Sequence, residues 1–142
     1  MGHTNKILFG ILVCSFCFAN ISSVSGSIIH GPHYEVHVVN LMPNQTWIHC
    51  FSKDNELGFH YLQPKEDFHW DFHMNFFGRT QYFCHFWWGV KQAGFRVFKG
   101  FDMCGDYDYH LNVCRWEIRP DGFYYSTTAK NGHIKTKQQD WY

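Results

Sequence analysis

From Tyr34 onward the chain breaks into short apolar or alternating runs separated by turn residues, and no stretch sustains a 3.6-residue period. "HYEVHVVN" alternates with Tyr34, Val36 and Val38 on one side, and "MPNQ" turns it towards "TWIHCFS". "FHYL" follows the polar "KDNELG", and after "QPKE" comes "DFHWDFHM", which sets Phe68, Trp70 and Phe72 on one face and His69, Asp71 and His73 on the other. "QYFCHFWW" is the most apolar run; "GVKQAG" then leads to "FRVFKGF", and "VCRWEIR" and "GFYYSTT" meet at Pro120-Asp121-Gly122, a hairpin turn whose glycine supplies a positive φ. About eight strands at this spacing predict an all-β domain, a two-sheet antiparallel β-sandwich. The polar tail from Ala129 is expected to fray or add a last short strand.

Residues 1–26 do not belong to that pattern. A lysine near the start, an uncharged apolar run over residues 7–19 and the small, polar "NISSVSGS" read as a secretory signal peptide cleaved after Gly26. The apolar run is shorter than the roughly twenty residues a spanning helix needs, so no membrane insertion of the mature chain is expected. Residues 27–142 then form a single domain. Loss of one lysine takes twelve basic against twelve acidic residues to a net charge near −1, which gives no bias towards nucleic acid.

Cys14 and Cys17 leave with the signal peptide, and Cys50, Cys84, Cys104 and Cys114 remain, an even set that reads as two disulfides in a secreted chain. Three pairings are open. Cys50 lies mid-strand and Cys114 two residues before Trp116, as in sandwiches whose bridge pins one sheet to the other, so Cys50 with Cys114 and Cys84 with Cys104 is the expected pairing. Asn44-Gln45-Thr46 is an N-glycosylation sequon in a polar turn, making Asn44 a candidate glycan site.

Aromatic residues make up 20% of the chain. Their alternating placement favours burial in the core over an exposed platform, with one of the adjacent Trp87 and Trp88 as the exception.

Taken in order, these landmarks resemble the plant self-incompatibility protein family, or S-protein homologues. They are Asn40-Leu41, His49-Cys50-x-Ser52-Lys53-Asp54, Leu57-Gly58, Phe68-x-x-x-Phe72, Thr80-x-x-Phe83-Cys84-x-Phe86-x-Trp88 and Cys114-x-Trp116-x-x-x-x-Asp121-Gly122. Glu56 stands where the family usually has aspartate, and histidines are unusually numerous. The resemblance implies a small, secreted, disulfide-bonded β-sandwich, similar to a stigma-secreted ligand that meets a pollen-surface receptor.

Ten histidines remain after the signal peptide, but they fall on separate predicted strands, and no segment resembles the RNase signatures, so no catalytic residue and no enzyme is expected. His69, Asp71 and His73, with His85 from the next strand, are zinc-type ligands, yet same-face residues on one strand rarely converge on one ion, and neither metal nor cofactor is expected. Recognition residues are sought on exposed loops. The candidates are Ser52, Lys53, Asp54, Asn55 and Glu56 in one loop, Lys65 and Glu66 in a second, and Asp106, Tyr107 and Asp108 in a third. The resulting expectation is a secreted, monomeric ligand for a cell-surface receptor protein. The rival is a secreted cell-wall carbohydrate-binding module using an exposed tryptophan.

Overall fold

The computed structural model describes residues 30–101, 103, 104, 112–129 and 132–142. The signal-peptide reading and the loop candidates Asp106, Tyr107 and Asp108 fall outside these described residues. Within them, strands β1 (His33–Asn40), β4 (Asp67–His73), β7 (Asn112–Arg119), β8 (Gly122–Ala129) and β9 (Gly132–Gln139) form a five-stranded sheet in the order β4-β1-β7-β8-β9. Strands β2 (Thr46–Phe51), β3 (Glu56–Leu62), β5 (Tyr82–Trp88) and β6 (Lys91–Phe98) form a four-stranded sheet in the order β3-β2-β5-β6. The fold is the expected all-β two-sheet sandwich, with one departure from antiparallel pairing: β1 and β7 run parallel.

Alternate residues from the two sheets fill the space between them, as the pleat requires. Val36 and Val38 of β1 and Trp116 and Ile118 of β7 meet Ile48 of β2, Phe86 of β5 and Val97 and Phe98 of β6, all buried. Trp116 fixes the sheets to each other, its Nε1 donating to the carbonyl of Val97 at 2.9 Å. In β4, Trp70 is buried and Phe68 and Phe72 pack half-buried against the core, while His69, Asp71 and His73 point to solvent, as the alternation predicts.

One turn differs from its sequence reading, and the tail takes the strand alternative. "GVKQAG" is mostly strand, since β6 begins at Lys91 and the β5–β6 connection is only Gly89 and Val90. The tail forms a full strand, β9, and continues to Trp141, whose ring lies 4.6 Å from that of Phe123. The turn at Pro120 and Asp121 is as expected, and Gly122 has φ 137° with no room for a Cβ beside the carbonyl of Gln139.

The four cysteines among the described residues form two disulfides, but in a different pairing from the expected one. Cys50 is bonded to Cys84 and Cys104 to Cys114. Cys50 and Cys84 are direct cross-strand partners of β2 and β5 with Cα atoms 4.2 Å apart. Cys114 belongs to the other sheet, and Cys50 takes the cysteine directly opposite it on the neighbouring strand. Cys114 instead closes the short loop from Cys104.

Candidate functional site

The outer face of the four-stranded sheet is paved with rings. Register places Tyr61, Trp47 and Trp87 in one row across β3, β2 and β5, with Phe59, His49 and His85 in the next; Phe51 and Phe83 lie opposite each other beyond that. Trp47, Phe59 and Tyr61 are 47%, 64% and 46% exposed, values that make this face a surface and not a second core. The rings stack along the sheet. Phe59 stacks on His49 at 4.2 Å and has Trp87 6.0 Å away, and Trp87 in turn stacks on His85 at 4.3 Å. Strands β2 and β5 therefore carry aromatic or large side chains on both faces, and the sequence expectation that the aromatic residues serve the core holds only for the inward half. Of the adjacent tryptophans, Trp87 belongs to this outer face, while Trp88 packs against the core beside Trp141 at 5.9 Å.

At one end this face runs into an open groove lined by residues 51–55, Phe72, His73, Asn75, Phe77, Arg79, residues 80–83 and Arg96. The first candidate loop thus forms a wall of the groove. Ser52 Oγ accepts from the backbone N–H groups of Asp54 and Asn55, which holds the loop in a tight turn, and Asn55 Nδ2 donates to the Tyr82 hydroxyl at 3.3 Å. Lys53 and Asp54 are left exposed on that turn, and the exposed Phe77 lies under the Arg79 guanidinium at 5.4 Å. Glu56 is committed to structure: it accepts from the Gly58 backbone N–H and pairs with His49 at 2.6 Å. Those two contacts, the backbone donor first, hold its carboxyl below the usual range.

The second candidate loop lies away from the groove and has a structural occupation. Lys65 has φ 71° and its N–H donates to the Asn40 carbonyl, while the Glu66 carboxylate accepts from the Gln63 N–H at 2.7 Å. Asn44 is exposed on the β1–β2 loop, its carbonyl oxygen accepting from Asn40 Nδ2.

The outer face of the five-stranded sheet has a different chemistry. His85 lies on β5 in the other sheet and takes no part in it, so the grouping of His69, Asp71 and His73 with His85 does not form. Instead β4 presents its polar residues to β1, with His73 opposite His33, Asp71 opposite Glu35 and His69 opposite His37. These pairings were invisible in the sequence because β1 and β4 are separated by two strands of the other sheet.

Further along this face, Glu117 is buried beneath Arg119 at 2.6 Å and Lys135 at 2.7 Å. Burial alone would raise its carboxyl, but the hydrogen bonds from Lys135 and Arg119 outweigh it and hold Glu117 below the usual carboxylate range. A carboxyl lowered on folding adds stability above its unfolded value near 4.5, and that stability is lost as pH falls through the folded value. Glu117→Gln should therefore cost about 1–2 kcal/mol at pH 7. In urea denaturation the gap to the parent protein should narrow as pH drops from 7 to 3; a constant gap would show that the charge is not its source.

A family model for the plant self-incompatibility protein S1 matches residues 35–141, nearly all of the described chain. S-protein homolog 2 of Arabidopsis thaliana is 37% identical over 106 residues, covering 72% of this chain and 66% of that protein. S-protein homolog 24 of the same plant is 41% identical over 88 residues, or 61% of this chain and 57% of that protein. S-protein homolog 5 is 32% identical over 119 residues, 78% of this chain and 85% of its own length. The chain thus matches less than two thirds of the length of the first two. Among solved structures, one of SPH (Self-Incompatibility Protein Homologue) proteins, described as a widespread family of small, highly stable, secreted proteins from plants, superimposes with a TM-score of 0.56. It is 16% identical and covers 78% of this chain and 96% of its own, a likeness of fold.

Proposed function

This chain belongs to the plant self-incompatibility protein S1 family, and on that footing we propose that it is a secreted recognition ligand that binds a cell-surface receptor protein. The observation that carries the reading is the exposed aromatic face of the four-stranded sheet, continuous with the groove beside Ser52, Lys53, Asp54 and Asn55. Aromatic residues at the centre of a patch, rimmed by charged groups, are the composition of a protein-binding surface. Glu56 shapes the face through His49, and the Lys65 and Glu66 turn lies outside the docking surface. The mature chain acts as a monomer, carries a glycan at Asn44 and performs no enzymatic step in this reading.

The stacking of these rings on one another favours a protein partner over a wall polysaccharide. A sugar packs its C–H face onto an open ring face, whereas one face of Phe59 is taken by His49 and one face of Trp87 by His85. Binding of the labelled protein to plasma-membrane vesicles and to a glycan array separates the two. Saturable vesicle binding is expected, weakened at least about tenfold by combined Trp47→Ser and Phe59→Ser with the melting temperature little changed. Glycan-array binding without vesicle binding would instead establish the carbohydrate-binding reading.

A further inference from the structure

On the outer face of β1 and β4, His37 and His69 stand opposite each other in register, their rings stacked with centroids 4.9 Å apart and planes within 20°. Asp67, at the start of β4, reaches both. One carboxylate oxygen lies 2.9 Å from His37 Nδ1 and the other 3.9 Å from His69 Nδ1. One donor atom from each of the three residues can be chosen so that all lie within 4.8 Å of one another. Tetrahedral zinc with bonds of about 2.0–2.2 Å holds its donors roughly 3.3–3.5 Å apart, so side-chain rotations of about an ångström close the set.

We propose that His37, His69 and Asp67 form a binding site for a divalent transition-metal ion, zinc in particular. The donor set of two imidazoles and a carboxylate suits zinc and excludes calcium and magnesium, which take oxygen ligands alone. Three protein donors on an open sheet face leave the fourth position to water or to a group from a partner. Glu35 completes the arrangement as a positioning residue. Its carboxylate lies 3.2 Å from His37 Nε2, so Nε2–H donates to Glu35 while the Nδ1 lone pair faces the ion, the carboxylate–histidine relay common to zinc sites.

One cation opposes the site. Arg115 Nη1 lies 3.6 Å from Asp67, but its Nε also lies 4.0 Å from Glu117, a carboxylate to which it turns when the ion takes Asp67. The site is independent of the receptor reading, because it occupies the other sheet and uses none of its rings.

Titration of the disulfide-intact protein with zinc chloride by calorimetry tests the assignment, with Co²⁺ absorption as a second readout that reports coordination directly. One equivalent should bind, and visible bands of tetrahedral Co²⁺ should appear. His37→Ala and His69→Ala should each abolish both signals, and Glu35→Gln should weaken affinity about 10–100-fold. Arg115→Ala should tighten binding, and His85→Gln, on the opposite sheet, should leave it unchanged. Absence of zinc heat in the parent protein, or equal affinity in the folded His37→Ala and His69→Ala variants, would overturn the proposal. So would an ion lost only on replacement of His33 and His73, the next histidine pair along the ladder.

Discussion

Replacing Cys50 and Cys84 together by alanine should destabilise the protein by about 4 kcal/mol, against about 3 kcal/mol for replacing Cys104 and Cys114 together. The difference comes from the unfolded chain. The first bridge joins residues 34 apart and the second residues 10 apart, and the longer loop removes more conformational freedom from the denatured ensemble. The native state adds to the ranking, because Cys50 and Cys84 are fully buried beside the Ile48 and Phe86 pair of the same two strands, where alanine also leaves space. Urea denaturation of both double variants checks the order. A larger loss from the short loop would mean that the chain of residues between Cys104 and Cys114 constrains the fold more than its length implies. Non-reducing peptide mapping should recover Cys50 joined to Cys84.

The disulfides show where the sequence stops being informative. That each cysteine lies on or beside a strand, and that all four are paired, followed from the alternation of apolar residues and from their even number in a chain read as secreted. Which one pairs with which depends on the order of strands within a sheet, and nothing local records that β2 neighbours β5 or that β7 returns beside β1. The same gap separates His37 from His69. Each is an ordinary outward residue of its own strand, and only the β1–β4 register makes them a pair.

The aromatic face was hidden for a different reason. "TWIHCF" and "YFCHFWW" place large, apolar or aromatic side chains at both odd and even positions, so the period that separates inside from outside is missing from them. In β4, by contrast, Asp67, His69, Asp71 and His73 alternate with Phe68, Trp70 and Phe72, and the sequence reading agrees with the structure residue by residue. The polar loop of Ser52, Lys53, Asp54 and Asn55 was legible as exposed; its place on the wall of a groove with Phe77, Arg79 and Arg96 was not, since those residues come from two other segments.

Asn40→Ala should cost about 4 kcal/mol, a large loss for a side chain that packs no apolar surface. Asn40 ends β1 fully buried and uses both ends of its amide. Oδ1 accepts from the Met42 backbone N–H at 3.0 Å and from the Thr46 hydroxyl at 3.3 Å. Nδ2 donates to the Leu62 carbonyl at 2.9 Å and to the Asn44 carbonyl at 3.1 Å. One side chain thereby ties the β1–β2 loop to the end of β3, and its own backbone N–H and carbonyl hold Glu66 and Lys65 of the next turn. Alanine would leave the Met42 N–H and the Leu62 carbonyl buried without these partners, at about 1–3 kcal/mol each, beyond the weaker losses at Asn44 and Thr46. Asp at this position is a sharper probe than alanine, because it keeps the acceptor and removes only the donor. Asn40→Asp should retain the Met42 and Thr46 bonds but set a carboxylate against two carbonyl oxygens, so its deficit should shrink as pH falls and the acid protonates, whereas that of Asn40→Ala should not. Thermal or urea denaturation of the two variants at pH 7 and pH 4 measures this. Equal pH dependence in both would locate the role of Asn40 in its backbone and not in its amide.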